Sequence, residues 1–356
     1  MNMKPLIIGE HMTRFPLIQG GMGVGVSLSS LAGHVAKEGG VGIISTAQIG
    51  YREPDYDKNP VEANLRAIGK EVQRAREIAG PEGIIGVNIM VATRFYEQYV
   101  RAACEAGVDL IISGAGLPVS LPEYTKESSV CLAPIVSSAK AAMIICKMWD
   151  RKYQRMPDLV VVEGPLAGGH LGFSVEEIGY YTKERYDDEI KKIKEVIDSF
   201  SDKYQRKIPI VAAGGIFDHE DVFHYLDELQ VDGVQVATRF VTTIECDAQE
   251  AYKQTYLNAK KEDIVIVKSP VGMPGRAIKN VFMERCMNGN PPELGRCHLC
   301  IEKCDRSKIP YCISDALINA VNGNIDQALL FCGSNAYRCN KIETVKEVIH
   351  SLFQSY

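Results

Sequence analysis

The sequence predicts an α/β fold: a closed (β/α)8 TIM barrel over residues 1–285, followed by a cysteine-rich, partly helical extension over residues 286–356. Three observations carry this. Short Val- and Ile-rich runs alternate with stretches of helical periodicity through the first three quarters of the chain. About eight such units fit within roughly 250 residues, the size of a closed barrel. The texture then changes: Pro291-Pro292 breaks the pattern, and seven of the 11 cysteines fall between Cys286 and Cys339.

The expected strands are Phe15–Gln19, Val41–Ser45, Ile84–Asn88, Leu110–Ser113, Cys131–Val136, Leu159–Glu163, Ile208–Ala212 and Gly233–Val236. They are nearly continuous in apolar residues, which implies cover on both faces and parallel pairing through helical crossovers. The expected helices are Ser27–Glu38, Pro60–Ala79, Arg94–Ala106, Ser138–Asp150, Val175–Tyr204 and Asp218–Leu229, with a weaker one at Ser120–Lys126. In the extension, Ile313–Val321 and Thr344–Phe353 have helical spacing. An open doubly wound sheet is the alternative architecture. Its fingerprint is missing, because Gly20-Gly21-Met22-Gly23-Val24-Gly25 does not fit G-x-G-x-x-G and no acidic residue ends the next strand.

Composition narrows the function. With 46% hydrophobic and 24% charged residues the chain is globular, and a net charge of -5 gives no overall basic field for nucleic acid or an anionic membrane. Met1 to Glu10 lacks the basic-then-apolar pattern of a secretory leader, so a cytoplasmic location is expected. The most apolar stretch, Val130 to Trp149, carries Pro134, Lys140 and Lys147 and reads as a buried strand entering a helix. Clustered thiols in such a chain imply local ligation or reduced cysteines rather than a disulfide scaffold.

In a barrel the reactive groups follow the carboxyl ends of the strands. After the seventh comes Ala212-Ala213-Gly214-Gly215-Ile216, and after the eighth comes Ala237-Thr238-Arg239-Phe240. Glycines expose backbone N–H groups and a hydroxyl adds a donor, so these two loops predict a phosphate site; the bland reading is a tight turn and a surface threonine. Gly20-Gly21-Met22-Gly23 after the first strand can let a flat ring lie against the backbone. Asn88 can hydrogen-bond a ring heteroatom and Lys140 can stabilise charge on a reduced cofactor, unless they meet buried carbonyls or water. The sharpest motif is Glu163-Gly164-Pro165-Leu166-Ala167-Gly168-Gly169-His170, where small residues bring the backbone close to a ligand and present an imidazole as acid or base. His34, His219 and His224 sit on helical spacing and read as structural.

These motifs, with Gly86-Val87-Asn88-Ile89-Met90 and Gly275-Arg276-Ala277-Ile278-Lys279-Asn280, run in order from Gly20 to Asn280. Together they resemble the FMN-dependent nitronate monooxygenase family, formerly 2-nitropropane dioxygenases, and the related FMN-containing enoyl-acyl-carrier-protein reductases. The resemblance implies non-covalent FMN, with phosphate on Gly214, Gly215 and Thr238 and ring against Gly21, Met22, Asn88 and the Gly168–His170 loop. It extends the cofactor set to Gly23, Lys140, Glu163, Gly169, Ala213, Gln235 and Ala237, and makes His170 the catalytic residue. Ala237 departs from the glycine common before the threonine. The implied partners are a small-molecule substrate with O2 or NAD(P)H; a homo-oligomer is compatible with the sequence. Nitronate oxidation to a carbonyl compound and nitrite is the preferred activity, because Ser269–Gly275 looks like the monooxygenase side. Enoyl thioester reduction, a non-flavin barrel lyase or isomerase acting on a phosphorylated substrate, and a flavin-binding sensor are the alternatives.

The extension carries Cys297, Cys300, Cys304 and Cys312 as C-x2-C-x3-C-x7-C, a spacing able to hold zinc or an iron–sulfur cluster, with Cys332 and Cys339 as spare candidates. The alternative is a set of reduced, small, buried thiols.

Overall fold

The computed structural model describes residues 4–354; Met1–Met3, part of the segment read as lacking a leader, lie outside the described residues. Eight parallel strands close into a barrel. In chain order they are Leu17–Gln19, Val41–Ser45, Ile84–Met90, Leu110–Gly114, Cys131–Val136, Val160–Glu163, Ile210–Ala213 and Gly233–Val236. The eighth strand pairs back onto the first, with Val234 opposite Leu17 and Val236 opposite Gln19, which removes the free edges of an open sheet.

The barrel is filled rather than hollow. Ile18, Ile43, Leu110, Ile112, Ala133, Val161 and Val211 pack inside it. A hairpin of Ile7–Ile8 and His11–Met12 contributes Leu6 and Ile8 to the same cluster and plugs the amino-terminal end. The cavity can therefore open only at the carboxyl ends. A second, larger core lies between strands and helices, where Leu31, Val72, Val100, Ile145 and Ile193 face inward.

Local chemistry explains most helix limits. Pro60 opens Pro60–Ala79, where its missing N–H costs nothing, and Gly80 at φ +78° ends it. Ser138 caps Ala139–Tyr153 by accepting from the Ala141 N–H. The helix expected over Val175–Tyr204 is two, Val175–Tyr180 and Lys183–Tyr204, because Thr182 leaves helical geometry to cap the second. The Ser120–Lys126 candidate shortens to Leu121–Tyr124. The apolar stretch from Val130 resolves into strand and helix, and among the described residues no helix is long and apolar enough to cross a membrane.

The chain beyond the eighth strand does more than append. Helices Thr238–Val241 and Glu250–Asn258 and strands Ile264–Lys268 and Pro274–Ile278 were not legible in the sequence. The two strands form an antiparallel sheet with Gly169–His170 from the loop after the sixth barrel strand. Helix Ile313–Val321 packs over this region. The last helix, Val345–Phe353, returns to the barrel wall: it buries Val348, Ile349, Leu352 and Phe353, packs the Phe353 ring against Phe15 in a tilted pair at 5.3 Å, and accepts a contact from His219 Nδ1 at the Leu352 carbonyl, 3.0 Å away. It thus stands between helices Ser29–Lys37 and His219–Phe223, the place of an eighth barrel helix, and residues 242–344 form one long eighth βα loop.

Candidate active site at the carboxyl ends of the strands

One cavity lies at the carboxyl ends of the strands. Of the residues predicted from sequence, Gly21, Met22, Gly23, Asn88, Glu163, Gly168, Gly169, His170, Ala213, Gly214, Gly215, Gln235, Ala237 and Thr238 all line it. Lys140 does not. It is exposed in the first turn of Ala139–Tyr153 and is absent from the cavity wall, because Ser138 starts the helix before residue 140 and turns it to solvent.

At one end of the cavity the wall is backbone. Gly214 and Gly215 have φ of +99° and +81°, a pair of left-handed residues only glycine adopts readily. Among the described residues neither of their N–H groups donates to a backbone carbonyl. Such consecutive free N–H groups form an anion-binding concavity. Thr238 stands across from them, and Ala237 before it has φ -119°, ψ -65°, a right-handed conformation that needs no glycine. No lysine or arginine lines the cavity among the described residues.

The other end is built from side chains. A Cβ on Gly21 would sit 2.5 Å from Asn88 Cβ, so glycine there is what admits Asn88 to the floor. Gln235 Oε1 is buried with no hydrogen-bond partner, a cost the fold retains beside an open cavity. Burial raises the Glu163 carboxyl to about 8, so it is neutral at ordinary pH. Burial lowers His170 to about 4, leaving a neutral imidazole.

His170 is held on three sides. Its backbone pairs with Gly275 in the antiparallel sheet. Its Nε2 lies 2.7 Å from Ser269 Oγ, and its ring meets Phe331 edge-on at 4.9 Å. Arg276, buried behind the loop, donates to the Ala167 and Pro165 carbonyls and fixes the turn that delivers the imidazole. Ser269, Arg276 and Phe331 were not assigned roles from sequence. Ser269 opens the Ser269–Gly275 stretch and Arg276 lies in the Gly275–Asn280 motif, so the signal existed; Phe331 carried none.

The extension forms the roof. Ile301, Ile313, Leu317 and Phe331 join Val271 in covering the cavity. The segment is tied to the loop after the third strand by Arg94 N–H donating to the Cys300 carbonyl at 3.1 Å and Glu302 N–H to the Ala92 carbonyl at 3.0 Å.

Among the described residues the four predicted cysteine ligands do not form a group of sulfurs within 4.8 Å of one another. Cys297 is exposed, Cys300 faces the cavity, and all four are free thiols in a largely irregular segment. Among the described residues, the ligand atoms that lie within 4.8 Å of one another belong to His298, Cys312 and Asp315, so Cys312 alone of the predicted set takes part. His298 Nε2 is 2.5 Å from Asp315 Oδ1, a short contact between imidazole and carboxylate.

A plugged, closed parallel barrel with a glycine turn and a half-buried imidazole in the cavity at the carboxyl ends of its strands places the chain among the TIM-barrel proteins. Two solved structures share the fold across nearly its full length. FabK from Thermotoga maritima has a TM-score of 0.72 at 22% identity, covering 96% of this chain and 92% of that one. The nitroalkane oxidase from Streptomyces ansochromogenes has a TM-score of 0.72 at 17% identity, covering 96% and 95%. Within that class the chain belongs to the nitronate monooxygenase family, whose model matches residues 4–355. A relative from Staphylococcus saprophyticus named "Probable nitronate monooxygenase" is 26% identical over 311 residues, 80% of this chain and 81% of the relative.

Proposed function

We propose that this chain is an FMN-dependent nitronate monooxygenase, oxidising alkyl nitronates with O2 to a carbonyl compound and nitrite. The observation that carries the reading is a neutral, desolvated His170 placed under an apolar roof, in one cavity with a glycine turn suited to a phosphate. The residues fit FMN: the Gly214-Gly215 turn and the unpartnered Gln235 oxygen are features an empty cavity leaves unsatisfied and a phosphorylated heterocycle would satisfy.

Ala213, Gly214, Gly215, Ala237 and Thr238 would hold the phosphate; Gly21, Met22, Gly23, Asn88, Glu163, Gly168, Gly169 and Gln235 would hold the ring. FMN, when bound, supplies the electron transfer. The protein supplies position and protons. His170 is unprotonated above about pH 4 and so can take the α-proton of a neutral nitroalkane, leaving an imidazolium beside the new nitronate. That anion in turn favours the protonated ring, so the pair stabilises itself once formed. The alkyl part of the substrate meets Val271, Ile301, Ile313, Leu317 and Phe331.

Purified protein mixed with propyl-2-nitronate in air should release nitrite. Absence of nitrite, with NAD(P)H oxidation driven by an enoyl thioester, would replace this reading with the reductase. Colourless protein that takes up no added FMN would remove the flavin and leave a barrel lyase or isomerase.

A further inference from the structure

We propose that Gly333 and Asn335, far along the chain in the loop before the last helix, are positioning residues for the cofactor phosphate: they set the donors of the turns after the seventh and eighth strands. The inference rests on the FMN reading above.

Its first ground is a hydrogen-bond direction. The Gly333 N–H donates to Thr238 Oγ1 at 3.0 Å. An amide can only donate in this contact, so the threonine oxygen is the acceptor and its own hydrogen stays available. A hydroxyl held in this way is a ready donor, and Thr238 lines the cavity opposite Gly214 and Gly215. The second ground is on the facing turn, where Asn335 Nδ2 donates to the Gly215 carbonyl at 2.7 Å and fixes the peptide that follows this left-handed residue. One short loop thus braces both halves of the anion site.

The loop is held down along its length. The Cys332 N–H donates to the Arg276 carbonyl and the Ser334 N–H to the Leu166 carbonyl, at 3.0 and 3.1 Å. A Cβ on Gly168 would lie 2.5 Å from the Cys332 carbonyl carbon, so Gly168 makes room for this strap as well as lining the cavity. With no lysine or arginine on the cavity wall among the described residues, a phosphate there would be met by neutral donors, and the direction of each then matters.

Gly333 itself offers the sharp test. Its φ is outside the left-handed region, so alanine suits the backbone, yet an added Cβ would lie 2.8 Å from Thr238 Oγ1. Gly333→Ala and, separately, Asn335→Ala would be made in the full chain, and dissociation constants measured for FMN and for riboflavin, which lacks the phosphate. We expect the FMN constant to rise about tenfold or more, the loss of one hydrogen bond to a charged group, with riboflavin unchanged. An unchanged FMN constant in both variants would overturn the inference, as would an equal rise for both ligands, which marks general damage. If Gly333→Ala does not fold, Asn335→Ala carries the measurement by the same criteria. Wild-type protein that binds neither ligand, or both equally, would instead sink the phosphate reading itself.

Discussion

The two ends of the cavity present their groups in opposite ways. Toward the turns that follow the seventh and eighth strands the wall offers glycine backbone and the Thr238 hydroxyl, and among the described residues no lysine or arginine lines it. Toward the third and sixth strands it is side chains, and the two that titrate there, Glu163 and His170, are both pushed by burial toward their neutral forms. One end offers uncharged donors by geometry. The other holds its two titratable groups in their neutral forms, as desolvation favours.

Perturbing each end should therefore leave the other's signature intact. The largest effect is expected for His170→Ala: turnover of nitroalkane falls about 10²- to 10⁴-fold while FMN content is retained, read by nitrite release and the flavin spectrum. Normal turnover would remove His170 from the chemistry. At the opposite end, Gly214→Ala forces a side chain into φ +99° with its Cβ 3.0 Å from the Ala167 nitrogen. Strain of about 1–3 kcal/mol predicts roughly 10- to 100-fold weaker FMN binding, with the turnover of fully loaded enzyme little changed.

Smaller effects sharpen the contrast. Ser269→Ala removes the partner of His170 Nε2 and should lower turnover several-fold, up to about tenfold, with FMN affinity unchanged by titration. Glu163 links the two ends through pH. Its carboxyl is neutral below about 8 and ionised above, so if the cavity holds FMN as proposed, rising pH adds a negative charge beside an anionic ligand and FMN affinity should fall through that range. In Glu163→Gln the affinity should be flat with pH; a wild-type profile in this variant would assign the pH effect elsewhere. Lys140→Ala should change neither affinity nor turnover, since that side chain is in solvent.

Legibility in the sequence follows the same divide. All eight barrel strands were readable because each is a run buried on both faces, and the glycine turns were readable because no other residue serves there. His170 stood out for its Gly-Gly approach. What pattern could not supply was position across long separations. Ser269 and Phe331 reach His170 from 99 and 161 residues away, and Gly333 reaches Thr238 from 95. The sheet that carries His170 was hidden because Pro270, Gly272 and Pro274 read as a loop. Lys140 was misplaced because a helix start two residues earlier decides which way a side chain faces.

The placement of residues 242–344 between the eighth strand and the helix that completes the wall has a consequence for biosynthesis. A nascent chain leaves the ribosome from its amino terminus at about 5–20 residues per second, so all eight strands emerge before residue 333 exists. Stalled chains ending short of that glycine lack the helix that completes the wall, with Val348, Ile349, Leu352 and Phe353, and should be cut by protease faster than the full chain.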